Sequence, residues 1–107
     1  MLLKELEASF LSIKNEREFW PVDTLQEADG VWFLCPSCYI RNQGGRGTHG
    51  VIYWRTHVPE EIEPGPVRWS FAGTGIDDLT LHPQNTNSQL REECQLHFFV
   101  HMGRVYL

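Results

Sequence analysis

Cysteine is used sparingly in this chain, and where it falls limits what the chain can become. Two of the three cysteines form Cys35-Pro36-Ser37-Cys38, and the third opens Cys94-Gln95-Leu96-His97. A two-residue gap lets both sulfurs of a C-x2-C reach one ion. A second local pair supplies the remaining two corners of a tetrahedron. The spacing therefore predicts a closed Cys3His site for Zn2+ with Cys35, Cys38, Cys94 and His97 as ligands. Fifty-five residues separate Cys38 from Cys94, so such a metal ties the middle of the chain to its end. The bland alternative makes Cys94 a small buried apolar residue and the first pair incidental.

Three cysteines cannot all pair with one another, and metal binding fits two close pairs in a cytoplasmic protein. No apolar run approaches the length of a membrane span. The N-terminus meets charge at Lys4 and Glu5, too early for a signal peptide. With 107 residues, four Trp and six Phe, the whole of 1–107 is expected to form a single zinc-binding domain.

The net charge of −5 argues against general nucleic-acid binding, which needs a basic surface. The acids are clustered: residues 31–58 carry Arg41, Arg46 and Arg55 and no acid. An anion site in that segment is conceivable, with Arg46 nearest the glycines.

Residues 2–14 carry Leu2, Leu3, Leu6, Phe10 and Ile13 at three- and four-residue steps, which predicts an amphipathic helix docked on the core. Pro21 pushes Trp20 into extended geometry. Asp23–Gly30 reads as a loop or one helical turn ended by Gly30. Val31–Leu34 reads as a buried strand leading into Cys35, with Cys35–Cys38 a tight turn. Asn42–Gly50, with four glycines in residues 44–50, reads as an exposed loop. Val51–Arg55, Val67–Phe71 and Leu79–Leu81 read as further strands, and Glu60–Pro66 as an acidic turn. Gln84–Ser88 reads as a loop. Residues 96–101 and 104–107 flank Met102-Gly103, the signature of a two-residue hairpin. The expected fold is α+β: an N-terminal helix packed on a small, mainly antiparallel sheet, stapled by zinc through ribbon-like knuckles.

His49, His57, His82 and His101 are further histidines, any of which can replace His97 as the fourth ligand. Asp77 and Asp78 are placed to orient a histidine or activate water, although paired acids after Gly73-Thr74-Gly75 ordinarily serve turns and caps. There is no G-x-S-x-G, H-E-x-x-H or nucleotide fingerprint.

The run Ala28-Asp29-Gly30-Val31-Trp32-Phe33-Leu34-Cys35-Pro36-Ser37-Cys38 resembles short, uncharacterised phage and prophage proteins. The resemblance continues through His49–Ile52, Pro64–Trp69, Gly73–Pro83 and Cys94–Val100 to Gly103-Arg104-Val105, and so covers residues 28–105. A glycine often precedes the downstream cysteine in that family, where this chain has Glu93, a departure that touches turn geometry and not the ligands. The resemblance implies a small phage-encoded protein working in the host cytoplasm and no particular activity. A zinc-stabilised accessory protein that binds another protein is the leading expectation. A zinc hydrolase with an open metal site and a nucleic-acid-binding zinc module using Arg41, Arg46 and Arg55 are the alternatives.

Overall fold

The computed structural model of the protein describes residues 1–63, 67–83 and 98–106. Its principal layer is a four-stranded antiparallel sheet of β1 (Ser9–Asn15), β2 (Glu18–Val22), β3 (Gly30–Leu34) and β4 (Gly50–Trp54), in the order β2-β1-β3-β4. One helix, α1 (Pro36–Asn42), lies in the connection between β3 and β4. Two antiparallel hairpins accompany it among the described residues: β5 (Trp69–Ala72) with β6 (Thr80–Pro83), and β7 (Phe99–His101) with β8 (Arg104–Tyr106). The α+β class and the antiparallel sheets agree with the sequence.

The N-terminal helix does not form. Leu3–Leu6 makes one 3-10 turn, Glu7 takes a left-handed φ of 57°, and the chain continues as β1. The helical stripe omitted Leu11, and that residue decides the matter. In a strand, successive side chains face opposite ways, so Phe10 joins one apolar cluster and Leu11 the other. A two-faced sheet buries both; a helix docked by one stripe leaves Leu11 off the core. Gly30 likewise begins β3 instead of ending a helical turn.

Both faces of the sheet are covered. On one, Phe10, Val31, Phe33, Val51 and Tyr53 pack with Leu3, Leu6, Leu79, Leu81, Val100 and Val105. On the other, Leu11 and Trp54 pack with Val58 and Ile62 from the segment after β4. The Trp54 indole N–H donates to the Glu63 carbonyl at 2.8 Å, and the Phe19 ring meets it edge-on. Arg68 holds this segment in place. Its Nε donates to the Val58 carbonyl (2.8 Å), and its terminal nitrogens donate to the carbonyls of Pro59, Ile62 and Val67. Pro21 lies on the outermost strand, β2, where a missing N–H disturbs a sheet least.

The terminal hairpin agrees with its sequence signature. Met102 and Gly103 both have positive φ (51° and 76°), as a two-residue turn of this twist requires. The Leu3 amide donates to the Gly103 carbonyl and the Val105 amide to the Met1 carbonyl, so the N-terminal segment lies along this hairpin. A Cβ on Gly103 would stand 2.1 Å from the Asp77 carbonyl oxygen, backbone that cannot swing aside. Gly103→Ala is expected to cost about 1–3 kcal/mol through positive φ and this clash, read as a lower urea midpoint with an unchanged m-value.

Pro64–Pro66 of the acidic turn, the loop at 84–88, Glu93, Cys94, and residues 96, 97 and 107 of the hairpin reading lie outside the described residues. No described helix is long and apolar enough to cross a membrane.

Candidate metal centre

Cys35 follows directly on β3 and is buried; Pro36 then starts α1. Proline suits the first helical position because its fixed φ is already helical and the missing N–H has no partner there. The Tyr39 amide donates to the Cys35 carbonyl at 2.9 Å and closes the first turn. The expected tight turn is therefore the opening of a helix. Cys38, one turn along, comes back over Cys35 and is partly exposed.

The third donor arrives by strand pairing. Leu34 faces Gly50 across the β3–β4 ladder. One residue further out, the Cys35 amide donates to the His49 carbonyl at 2.8 Å. Cys35 and His49 are thus neighbours across the ladder, although the whole of α1 and the glycine loop lies between them in sequence. Gly50 makes room at this point: a Cβ there would lie 2.1 Å from the Trp32 indole nitrogen.

The ligand atoms of Cys35, Cys38 and His49 all lie within 4.8 Å of one another. Around a tetrahedral ion with bonds of about 2.0–2.3 Å, ligand atoms stand about 3.3–3.8 Å apart, so a small inward shift seats all three. The three residues lie close enough to bind a metal ion. The His49 Nδ1 is 3.3 Å from the Gly50 carbonyl oxygen. In the tautomer protonated at Nδ1 this contact is a hydrogen bond of the kind that commonly orients a histidine ligand.

Of the expected ligands, Cys35 and Cys38 come together, and Cys94 and His97 lie outside the described residues. Among the described residues, His49, a secondary candidate in the sequence, joins the two cysteines. Asp77 and Asp78 do not join this cluster. They belong to a 3-10 turn at Ile76–Asp78. The Asp78 carboxylate accepts the Thr74 and Gly75 amides and the Thr74 hydroxyl at 2.8–3.1 Å. Those bonds, the Thr74 amide first, hold its carboxyl below the usual aspartate range. Asp78 thus ties the Gly73-Thr74-Gly75 turn to the 3-10 turn that follows. Arg46 is exposed in the glycine loop.

Arg41 is the neighbour that the sequence did not single out for the site. Its guanidinium donates to the Cys38 sulfur at 3.7 Å. The signal was available only after α1 was known, since Arg41 stands three residues past Cys38 on one helix face. Arg55 turns inward instead, donating to the carbonyls of Leu25 and Ala28.

His82 and His101 lie exposed on β6 and β7. The His57 Nε2 is 2.7 Å from Asp29 Oδ1. Burial opposes charge on Asp29, but the His57 bond, the Ile13 amide and the Ser12 hydroxyl outweigh it and hold its carboxyl below the ordinary 3.8. A depressed pKa stabilises the fold above the unfolded value, and that contribution is lost as pH falls through the folded value. Asp29→Asn is therefore expected to flatten the loss of stability below about pH 4, measured as urea midpoints against pH.

Comparison with family models, with curated proteins and with solved structures gives no match.

Proposed function

We propose that this protein is a zinc-stabilised binding protein, in which a closed metal centre holds a small scaffold that acts by docking on another protein. The observation that carries the reading is the convergence of Cys35, Cys38 and His49. Two thiolates and an imidazole are a donor set that suits zinc over the hard cations. Cys94 is assigned as the third thiolate. The fourth position falls to His49, in place of the His97 that spacing alone suggested. Four protein ligands leave no corner for water, which is the arrangement of a structural centre.

The rest of the reading follows from composition and surface. A net charge of −5 disfavours nucleic acid, and Arg55, one of the arginines a nucleic-acid module would need, is spent on backbone carbonyls. Reduced thiols suit the cytoplasm, the host's if the protein is phage-encoded. A partner protein of the host is the class this reading favours.

One observation keeps a catalytic reading in view: the three donors that converge among the described residues also equal the protein ligand count of an open zinc site. The same experiment separates the two. X-ray absorption of zinc-loaded protein is expected to give three sulfurs and one nitrogen. Two sulfurs, one nitrogen and an oxygen would reject the closed centre in favour of an open one. His49→Ala is expected to weaken zinc binding by more than the about 10–100-fold lost when only a group orienting a ligand is removed, while His97→Ala leaves it unchanged. The reverse order assigns the ligand to His97.

A further inference from the structure

The two cysteines of the site differ in ways a merely structural centre does not need. Cys35 is fully buried at the end of β3, whereas Cys38 is partly exposed on α1. The Arg41 guanidinium stands against the Cys38 sulfur at 3.7 Å. The two sulfurs lie within 4.8 Å of each other, on residues one helical turn apart. A partly exposed cysteine sulfur beside a cationic donor, with a second sulfur in reach behind it, is the layout in which one sulfur attacks a hydroperoxide and the other resolves the product.

We infer that Cys38 and Cys35 form a peroxide-sensitive pair whose oxidation to a disulfide expels the metal. This rests on the metal reading above. The Cys38 thiolate attacks the O–O bond of a hydroperoxide. An S–O bond forms, the O–O bond breaks, and hydroxide (or alkoxide) leaves, giving a sulfenic acid. The Cys35 thiolate then attacks that sulfur. The S–S bond forms, the S–O bond breaks, and a second hydroxide leaves. Two electrons pass from the sulfurs to the peroxide, and two solvent protons complete the two leaving groups. Arg41 positions the peroxide and steadies the leaving oxygen by charge-assisted hydrogen bonding. A disulfide has no thiolate to offer zinc, so two donors vanish together and the ion departs. The buried position of Cys35 keeps it from reacting first and directs the chemistry into a bond instead of over-oxidation.

The test is hydrogen peroxide added to the zinc-loaded, full-length protein. Zinc release is followed with a chromogenic chelator, and the protein is mapped by mass spectrometry. The expected result is zinc release in step with a loss of about 2 Da located in a Cys35–Cys38 link, both reversed by dithiothreitol and added zinc. Arg41→Ala is expected to keep its zinc and release it several-fold more slowly under peroxide. Zinc retained through the treatment, or released with a bond to Cys94 or with oxygens added to Cys38 alone, overturns the switch and leaves the metal centre standing. Failure of the untreated, reduced protein to take up zinc overturns the centre and the switch together. An Arg41→Ala rate equal to wild type removes the assigned role of Arg41.

Discussion

Stripped of zinc by a chelator, the protein is expected to unfold about 15–30 °C lower than when loaded. A ligand present at a thousandfold over its dissociation constant stabilises the folded state by about 4 kcal/mol. Each kcal/mol moves the melting temperature of a domain this size by about 4–8 °C. The span of chain that the ion closes decides where in this range the shift falls. Cys35, Cys38 and His49 lie within one strand connection. A ligand at Cys94 closes about four times as much chain, and loop-closure entropy then adds about 1 kcal/mol. Cys94→Ser should accordingly lose more stability than His49→Ala, although each removes one ligand. The check is calorimetry of loaded and chelated protein, with zinc counted by elemental analysis. An unchanged melting temperature after complete removal rejects the stabilising role, and absence of zinc from protein purified without chelator rejects the metal itself.

Arg68→Met is expected to cost about 2–5 kcal/mol, since leaving a buried polar group without its partner costs about 1–3 kcal/mol and more than one carbonyl is affected. Arg68 is only 2 % exposed, yet it carries a charge. Burial pulls its guanidinium below the usual value, while Glu60, Glu61 and Glu63 oppose that pull. What the fold gains is a wired loop. The carbonyls of Val58, Pro59 and Ile62 all face this one side chain, and the same segment lays Val58 and Ile62 over Trp54. Methionine fills much of the space but donates to none of those carbonyls; Pro59 keeps the Ile62 amide, while the Val58 and Ile62 carbonyls lose the Arg68 donor away from water. Arg68→Lys should recover part of the loss, since an ammonium donates but cannot match the planar fork. Urea denaturation gives the magnitude. Trp54 fluorescence shifted to the red in native buffer would show that the segment has lifted. A variant within about 0.5 kcal/mol of wild type, the scatter of ordinary surface substitutions, would mean that the carbonyls find other partners.

Arg68 also shows what kind of information the sequence hides. Pattern reading finds strands where apolar residues are dense, and β3, β4 and the β7–β8 turn were legible for that reason. It found Cys35 and Cys38 because thiol spacing is a local property. A buried arginine in an apolar stretch has no periodic signature, and its carbonyl partners precede it across a turn. The N-terminal segment misled differently. Leu3, Leu6 and Phe10 are buried as a helix would bury them, but Leu11 is buried too, and only a sheet with both faces covered accounts for it. His49 stayed in the second rank because its nearness to Cys35 is created by the β3–β4 register, a long-range property. In the sequence it stands beside glycines, in what reads as loop.

That register has an evolutionary and an engineering consequence. Cys35 and His49 are set by the final rungs of a ladder, and Cys38 by the first turn of a helix that starts there. The stretch beyond, from Gln43 to Gly47, hangs from a base that is already closed. Added residues between Gly44 and Gly45 lengthen a loop whose closure entropy grows only logarithmically, and they leave the donor atoms where the ladder puts them. The connection can therefore change its length, and with it whatever its tip touches, without the chemistry at its root having to change.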